Sequence, residues 1–131
     1  MKRIILIALA IMATLSINAQ REDTRVEESV YDIVEEMPQF PGGPSAMFEY
    51  LSTNIQYPEA AKMDGIQGRV IVTFIVEKDG SVSNAKVAKS LEPSLDEEAH
   101  RLVKSMPHWI PGKQHGELVR VKYTVPVTFR L

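Results

Sequence analysis

The sequence contains no cysteine. This absence excludes disulfide bridges, a thiolate nucleophile, cysteine-ligated metal centres and a cysteine-linked lipid anchor. The chain also lacks a large excess of positive or of negative charge. The formal net charge is −2, and it becomes −4 when the positive Lys2 and Arg3 are removed with a leader. Bulk electrostatics therefore argue against a nucleic-acid partner.

The motifs that usually mark catalysis or cofactor binding are missing as well. The chain has no G-x-S-x-G, no H-E-x-x-H and no Walker-type phosphate loop. Glu97 and His100 have the spacing of one half of a carboxylate metal site, but such sites need a second motif of this kind. His108 and His115 lack a third ligand in the sequence around them. We therefore predict no enzyme, no cofactor and no metal site.

A long hydrophobic run is also lacking. The apolar stretch from Ile4 to Ile17 covers 14 residues, which as a helix would span about 21 Å at ~1.5 Å per residue. The hydrocarbon core of a bilayer is about 30 Å thick. With basic residues before it and small polar residues after it, this layout predicts a secretory signal peptide over residues 1–19. The alternative is a short N-terminal anchor that is not cleaved.

The rest of the composition is that of one folded domain. The chain has 131 residues, of which 44% are hydrophobic and 24% are charged, as in ordinary globular proteins. Residues 20–36 carry seven acidic and two basic side chains and show no sustained hydrophobic period. We interpret residues 20–36 as an acidic, solvated segment that leads into a domain at 37–131.

Hydrophobic spacing within that domain predicts three helices. Apolar residues that recur on one face predict a helix near 45–55. Pro58 is suited to begin a short helix that ends at Lys62. A second long helix is predicted over 93–106, with Ser94 as its N-cap and Glu97 reaching back to complete a capping box.

Three stretches alternate apolar and polar residues and predict strands at about 69–77, 81–90 and 118–131. Asp79-Gly80 predicts a tight hairpin turn between the first two, and a change of phase in the second predicts a bulge. The predicted fold is α+β, with a small three-stranded antiparallel sheet in the order 2-1-3. Two or three helices are expected on the face that carries Val70, Val72 and Phe74.

Pro126 lies in the last predicted strand. A proline cannot donate to a strand ladder and is expected at a sheet edge or a bulge, so we predict that this strand forms an edge. An edge is blunted by outward charges, here Arg120, Lys122 and Arg130, or it is used to bind another strand. Two interpretations follow: capture of an extended peptide, and pairing with a second copy to form a homodimer.

Several motifs occur in one fixed order: Tyr57-Pro58, Gly65-Ile66-Gln67-Gly68, Asp79-Gly80 and Trp109-x-Pro111-Gly112-Lys113, followed by the alternating terminal strand. Together they resemble the TonB C-terminal domain family over about residues 34–131. The leading VEEMPQFPGG resembles the version common in Bacteroidota. The resemblance implies a periplasmic binding module that captures the N-terminal box segment of a TonB-dependent outer-membrane transporter by strand addition, in support of energy-coupled transport.

The resemblance also implies which residues contact the partner. By position they are a turn and a pairing strand: Gln56, Tyr57, Pro58, Val119, Arg120, Val121, Lys122, Tyr123, Thr124, Val125, Pro126, Val127 and Thr128. Further partners implied are inner-membrane proton-channel proteins, and the expected location is the periplasm or, with the leader retained, the periplasmic side of the inner membrane. Because the sequence shows no long Pro-rich spacer, an accessory or self-associating envelope adaptor with no energy-transducing role is the alternative function.

Overall fold

A computed structural model describes residues 29–131 of the protein. The predicted leader at 1–19 and the first part of the acidic segment lie outside these residues. The elements are β1 Val30–Tyr31, α1 Pro44–Asn54, α2 Glu59–Met63, β2 Gly68–Val76, β3 Val82–Lys89, α3 Pro93–Lys104, β4 Gly112–Gln114 and β5 Glu117–Phe129. Within this part of the chain, no helix has the length and hydropathy needed to cross a membrane.

The strands form one sheet in the order β1-β5-β2-β3, and β4 pairs with the first residues of β5. β2 lies in the centre and is antiparallel to both β3 and β5. The predicted α+β class is confirmed, and the predicted order 2-1-3 corresponds to β3-β2-β5. The predicted count of three strands is wrong, because the described chain has five. β1 and β4 have two and three residues, which is too short to show an alternating pattern.

The core lies on one face of this sheet. Val70, Val72 and Phe74 are buried there as predicted, because alternate residues of a strand point to the same side. Buried residues of all three helices join the same cluster, among them Leu51 of α1 and Ala61 of α2. The helix positions therefore follow from the hydrophobic face that each helix must bury.

The N-terminus of α3 differs in detail from the expectation. The N-cap is Glu92, whose carboxylate accepts the backbone N–H of Leu95 at 3.2 Å and the hydroxyl of Ser94. Ser94 was predicted as the cap, but it lies inside the first turn because the helix begins at Pro93. Proline at the first helical position costs no hydrogen bond, since that N–H would have no partner in the helix.

The β2–β3 turn also differs from the predicted tight turn. The N–H of Gly80 donates to Glu77 O at 2.9 Å and the N–H of Glu77 donates to Ser81 O at 2.8 Å, so three residues form the loop. Gly80 has φ +89°, whereas Asp79 keeps a negative φ and its carboxylate accepts the N–H of Ser81 at 2.9 Å. The predicted bulge in β3 is confirmed by a register shift opposite Thr73–Ile75.

Candidate binding site at the sheet edge

β5 has a long side with no strand beside it. β2 pairs with β5 on one side, from Val121 to Phe129. β1 pairs with β5 only at Arg120 and Val121, and β4 only at residues 117–119. Among the described residues, no second strand lies along Lys122–Phe129, which we call the open edge. At about 3.4 Å per residue the open edge is roughly 25 Å long.

The start of β5 is occupied by other parts of the chain. Val119 pairs with Gly112 of β4, and Arg120 and Val121 pair with Val30 and Tyr31 of β1. The predicted pairing strand began at Val119, but its part without a second strand neighbour begins at Lys122. The prediction that β5 is an edge therefore applies to the open edge, where Pro126 lies opposite Ile71 of β2.

The last residues of the acidic segment, which the structure describes from residue 29 on, pair with β4 and with the start of β5. Glu36 and Lys113 exchange two backbone hydrogen bonds, of 3.1 and 2.9 Å, and Gln39 pairs in the same way with Ile110. Val34 is buried. A solvated segment was expected up to residue 36, and its described residues are exposed except for Val34, but Val30–Tyr31 and Glu36 also pair with β5 and β4.

Helix α1 runs beside the open edge. A cavity of about 330 Å³ at one end is lined by Pro44 and Met47 of α1 and by Tyr123 of β5. A smaller hollow at the other end is lined by Phe48 and Ile55 of α1 and by Pro126–Thr128 of β5. The first residues of α1 thus lie near Tyr123 and the last near Thr128, so α1 points in the same direction as β5. The open edge therefore has an apolar wall next to it.

Aromatic side chains fill the space behind the first of these cavities. Trp109 packs against Tyr123 with ring centroids 4.9 Å apart, against Phe74 at 5.4 Å and against Phe40 at 5.7 Å. Trp109 is only 3% exposed, so it is a core residue that supports Tyr123 from behind. Its indole N–H has no hydrogen-bond partner within residues 29–131.

The predicted contact turn, Gln56–Pro58, lies at the far end of the open edge. The ring of Tyr57 stands edge-on to Phe129, the last residue of β5, with centroids 5.6 Å apart. The hydroxyl of Tyr57 donates to Ile66 O. Ile55, one residue before the turn, lines the hollow beside Pro126. The structure therefore brings together two groups of residues that are about seventy positions apart in the sequence.

An ion pair on α3 between the buried Glu98 and the exposed Arg101 holds this turn from the other side. The carboxylate of Glu98 accepts the N–H of Gln56 at 2.6 Å and two N–H groups of Arg101, both at 2.7 Å. Arg101 also donates to Asn54 O at 3.1 Å. Burial acts to raise the pKa of Glu98, but the hydrogen bonds from Arg101 and Gln56 and the charge of Arg101 outweigh it and hold that pKa below its ordinary value.

A second ion pair links the end of β2 to β5. The Arg120 guanidinium donates to the carboxylate of Glu77 at 2.7 Å. This hydrogen bond is the main reason why the pKa of Glu77 lies below its ordinary value. Arg120 was predicted to contact a partner, and in the structure its charge is already compensated by Glu77, which follows directly after β2.

The histidines have local backbone or carboxylate partners. His100 Nε2 lies 2.9 Å from Ala85 O and His108 Nδ1 lies 3.2 Å from Asp79 O. His115 lies beside Glu35, with 3.7 Å between Nδ1 and Oε2. Residues 29–131 contain no group of three or more His, Asp or Glu side chains arranged to hold a metal ion.

Fold and open edge together define the class: a small α+β domain in which, among residues 29–131, one long side of β5 has no strand beside it. Comparison with known proteins gives the family. Residues 53–131 match the family model of the Gram-negative bacterial TonB protein C-terminal region. This match covers more than half of the chain, and the chain belongs to the TonB C-terminal family.

Individual relatives agree with this assignment. Protein TonB of Helicobacter pylori strain 26695 is 35% identical over 82 residues, which cover 62% of this chain and 27% of that protein. Protein TonB of strain J99 is also 35% identical over 82 residues, or 28% of its length. The solution structure of the H. pylori TonB C-terminal domain is 27% identical, with a TM-score of 0.50 over 66% of this chain and 90% of that one. The chain thus matches about a quarter of the length of the curated relatives.

Proposed function

We propose that the protein binds an extended segment of a TonB-dependent outer-membrane transporter, by adding that segment as a strand to the open edge. The observation that carries this proposal is the open edge itself, Lys122–Phe129, a regular strand paired by β2 on one side only among residues 29–131. Family membership supports the choice of a transporter as the partner. The periplasm as location, and inner-membrane proton-channel proteins as the source of energy, are proposed on the same ground.

Backbone hydrogen bonds supply the affinity in such a complex. An open strand presents unpaired N–H and C=O groups at regular spacing, and an added strand satisfies them one after another. Pro126 offers no N–H, so the ladder has one donor fewer at that position. Because backbone groups are common to all peptides, this ladder alone does not distinguish one partner from another.

The wall formed by α1 supplies the specificity. Tyr123 and Val127 point to the same side of β5 and border the two hollows at either end of α1. An added strand in register with β5 places side chains four residues apart over these hollows, about 13 Å from each other. We expect apolar side chains there. The turn at Gln56–Pro58 then contacts the segment where it leaves the edge.

Peptide titration with backbone-modified controls tests this proposal. The probe is a short synthetic peptide from the N-terminal box segment of an outer-membrane transporter, added to the isotope-labelled protein. We expect NMR shift changes on the open edge, on α1 and on the turn. Two control peptides carry N-methyl groups at alternate positions, one set in each phase. Strand addition requires that one set abolishes binding and the other does not. Equal effects of both sets, or shifts only on β3, contradict the proposal.

The same open edge favours a second candidate function. Two copies can pair their open edges and form a homodimer, as expected for a self-associating envelope adaptor. Strand addition and self-pairing use the same backbone groups, so they exclude each other. If a box peptide dissociates the dimer, peptide binding and self-pairing both use the open edge. If the peptide leaves the dimer intact, the dimer forms through another surface.

A further inference from the structure

Glu98 is the one charged side chain that is buried within residues 29–131, with 7% of its surface exposed. It lies in the middle of α3, on the side that packs into the protein, between Leu95 and Leu102. Taking a carboxylate out of water is costly, and a well-packed apolar residue in such a place is often equally or more stabilising. Stability alone therefore does not explain a carboxylate at this position.

The contacts of Glu98 suggest another reason. Both of its oxygens are used: Oε2 accepts the N–H of Gln56, and Arg101 bridges the two oxygens. The same guanidinium donates to Asn54 O, the last residue of α1. Glu98 and Arg101 thus act together on two backbone groups that flank Ile55, where the chain leaves α1 and enters the turn.

The turn is also held at both ends by helix hydrogen bonds and in its middle by the Tyr57 hydroxyl, which donates to Ile66 O. The last α1 hydrogen bond is made by the N–H of Ile55, and the first bond of the next helix is made by Pro58 O. Between them, the Tyr57 ring touches Phe129 at the end of the open edge. This aromatic contact ties the turn to the end of the edge, and the hydrogen bond from Gln56 to Glu98 holds the backbone one residue before it.

We propose that Glu98, oriented by Arg101, is a positioning residue that fixes the Gln56–Pro58 turn against the end of β5, so that turn and open edge form one surface for the bound segment. This inference rests on the proposed function. Glu98 does not touch the segment itself. It acts through the backbone of Gln56.

Three variants test the role of Glu98. Glu98→Leu removes both hydrogen-bond acceptors, Glu98→Gln keeps one acceptor of the same size, and Glu97→Gln changes the neighbouring exposed carboxylate as a matched control. The first measurement is amide hydrogen exchange of Gln56 in the protein without peptide. We expect exchange at least about tenfold faster in Glu98→Leu, a smaller effect in Glu98→Gln, and none in Glu97→Gln.

The second measurement is affinity for the box peptide, with thermal unfolding recorded alongside. Affinity is expected to fall about tenfold in Glu98→Leu and less in Glu98→Gln, without a matching loss of thermal stability. Unchanged exchange at Gln56 would overturn the proposal, and so would faster exchange with unchanged affinity. If Glu98→Leu does not fold, Glu98→Gln decides by the same criteria.

The proposed function and the role of Glu98 can fail separately. If the wild-type protein binds no peptide, the proposed function is wrong, and exchange at Gln56 alone decides whether Glu98 fixes the turn. If the wild-type protein binds and all three variants bind equally well, the proposed function stands and the role of Glu98 is wrong.

Discussion

At the scale of single residues, Gly80 has the least room for a side chain among the glycines of residues 29–131. Its φ is +89°, and a Cβ placed there would lie 2.1 Å from the backbone oxygen of Trp109. We expect Gly80→Ala to lower the free energy of unfolding by about 2–4 kcal/mol, measured by urea denaturation. Gly65→Ala is the control, since Gly65 also has a positive φ but no atom within 4 Å of the added carbon. An equal loss in both variants would mean that the Trp109 contact does not matter.

A substitution at Phe48 tests whether α1 contacts the bound segment. This side chain is 61% exposed on α1 and borders the hollow beside Pro126. Phe48→Ala is expected to change stability by less than about 0.5 kcal/mol, as for other exposed positions. Affinity for the box peptide should fall about fivefold, or ~1 kcal/mol. Calorimetry measures this, with Met63→Ala as control because Met63 is 82% exposed on α2. Equal affinities in the two variants would exclude α1 as a contact.

At the scale of the elements, two carboxylates fasten separate pieces together: Glu77 joins β2 to Arg120 of β5, and Glu98 joins α3 to the turn. The pKa of each lies below its ordinary value in the folded protein. Protons therefore bind more readily to the unfolded chain, so the stability from these groups is present above about pH 4.3 and is lost as the pH falls through the folded-state pKa values.

Urea denaturation between pH 7 and pH 3 checks this expectation. The free energy of unfolding should change little down to about pH 5 and then decline. The double variant Glu77→Gln with Glu98→Gln should be less stable at neutral pH and should decline less steeply in acid. Parallel curves for the variant and the wild type would mean that other groups are responsible for the acid sensitivity.

The length of each helix or strand explains whether the sequence could predict it. β2, β5, α1 and α3 were predicted close to their observed bounds, because each is long enough to repeat its hydrophobic period. β1 and β4 were missed since pairing partners, and not a pattern of their own, make them strands. The N-cap of α3 was placed two residues late, because Ser is among the preferred N-cap residues and Glu is not, whereas here the carboxylate of Glu92 caps the helix.

The candidate site was predictable only in part. The turn and the last strand were singled out by resemblance, but their adjacency depends on the contact between Tyr57 and Phe129. Glu98 was not predicted as part of the site, because its partner Gln56 is 42 positions away. A local signal existed in the Glu98-x-x-Arg101 spacing, which favours an ion pair on a helix but does not reveal that Glu98 is buried.

At the scale of the whole molecule, β3 and β5, which flank β2 in the sheet, differ in charge and in the regularity of their register. β3 carries exposed Lys86 and Lys89 and an irregular register, both of which discourage pairing with another strand. The open edge of β5 has Lys122 at its start and is otherwise regular and without charged residues up to Phe129. This asymmetry is consistent with the proposal that a partner strand adds beside β5 and not beside β3.

This asymmetry predicts the state of the protein in solution. If the open edge is kept for a partner segment, the protein should sediment as a monomer over a wide range of concentration, and addition of a box peptide should leave it monomeric. A variant with Lys86→Val and Lys89→Val removes the charges from β3 and should associate more strongly than the wild type, because the sheet then has two edges open to pairing. Sedimentation velocity at several concentrations measures both. A wild-type dimer that the peptide dissociates would instead assign the open edge to self-association, with the transporter segment as its competitor.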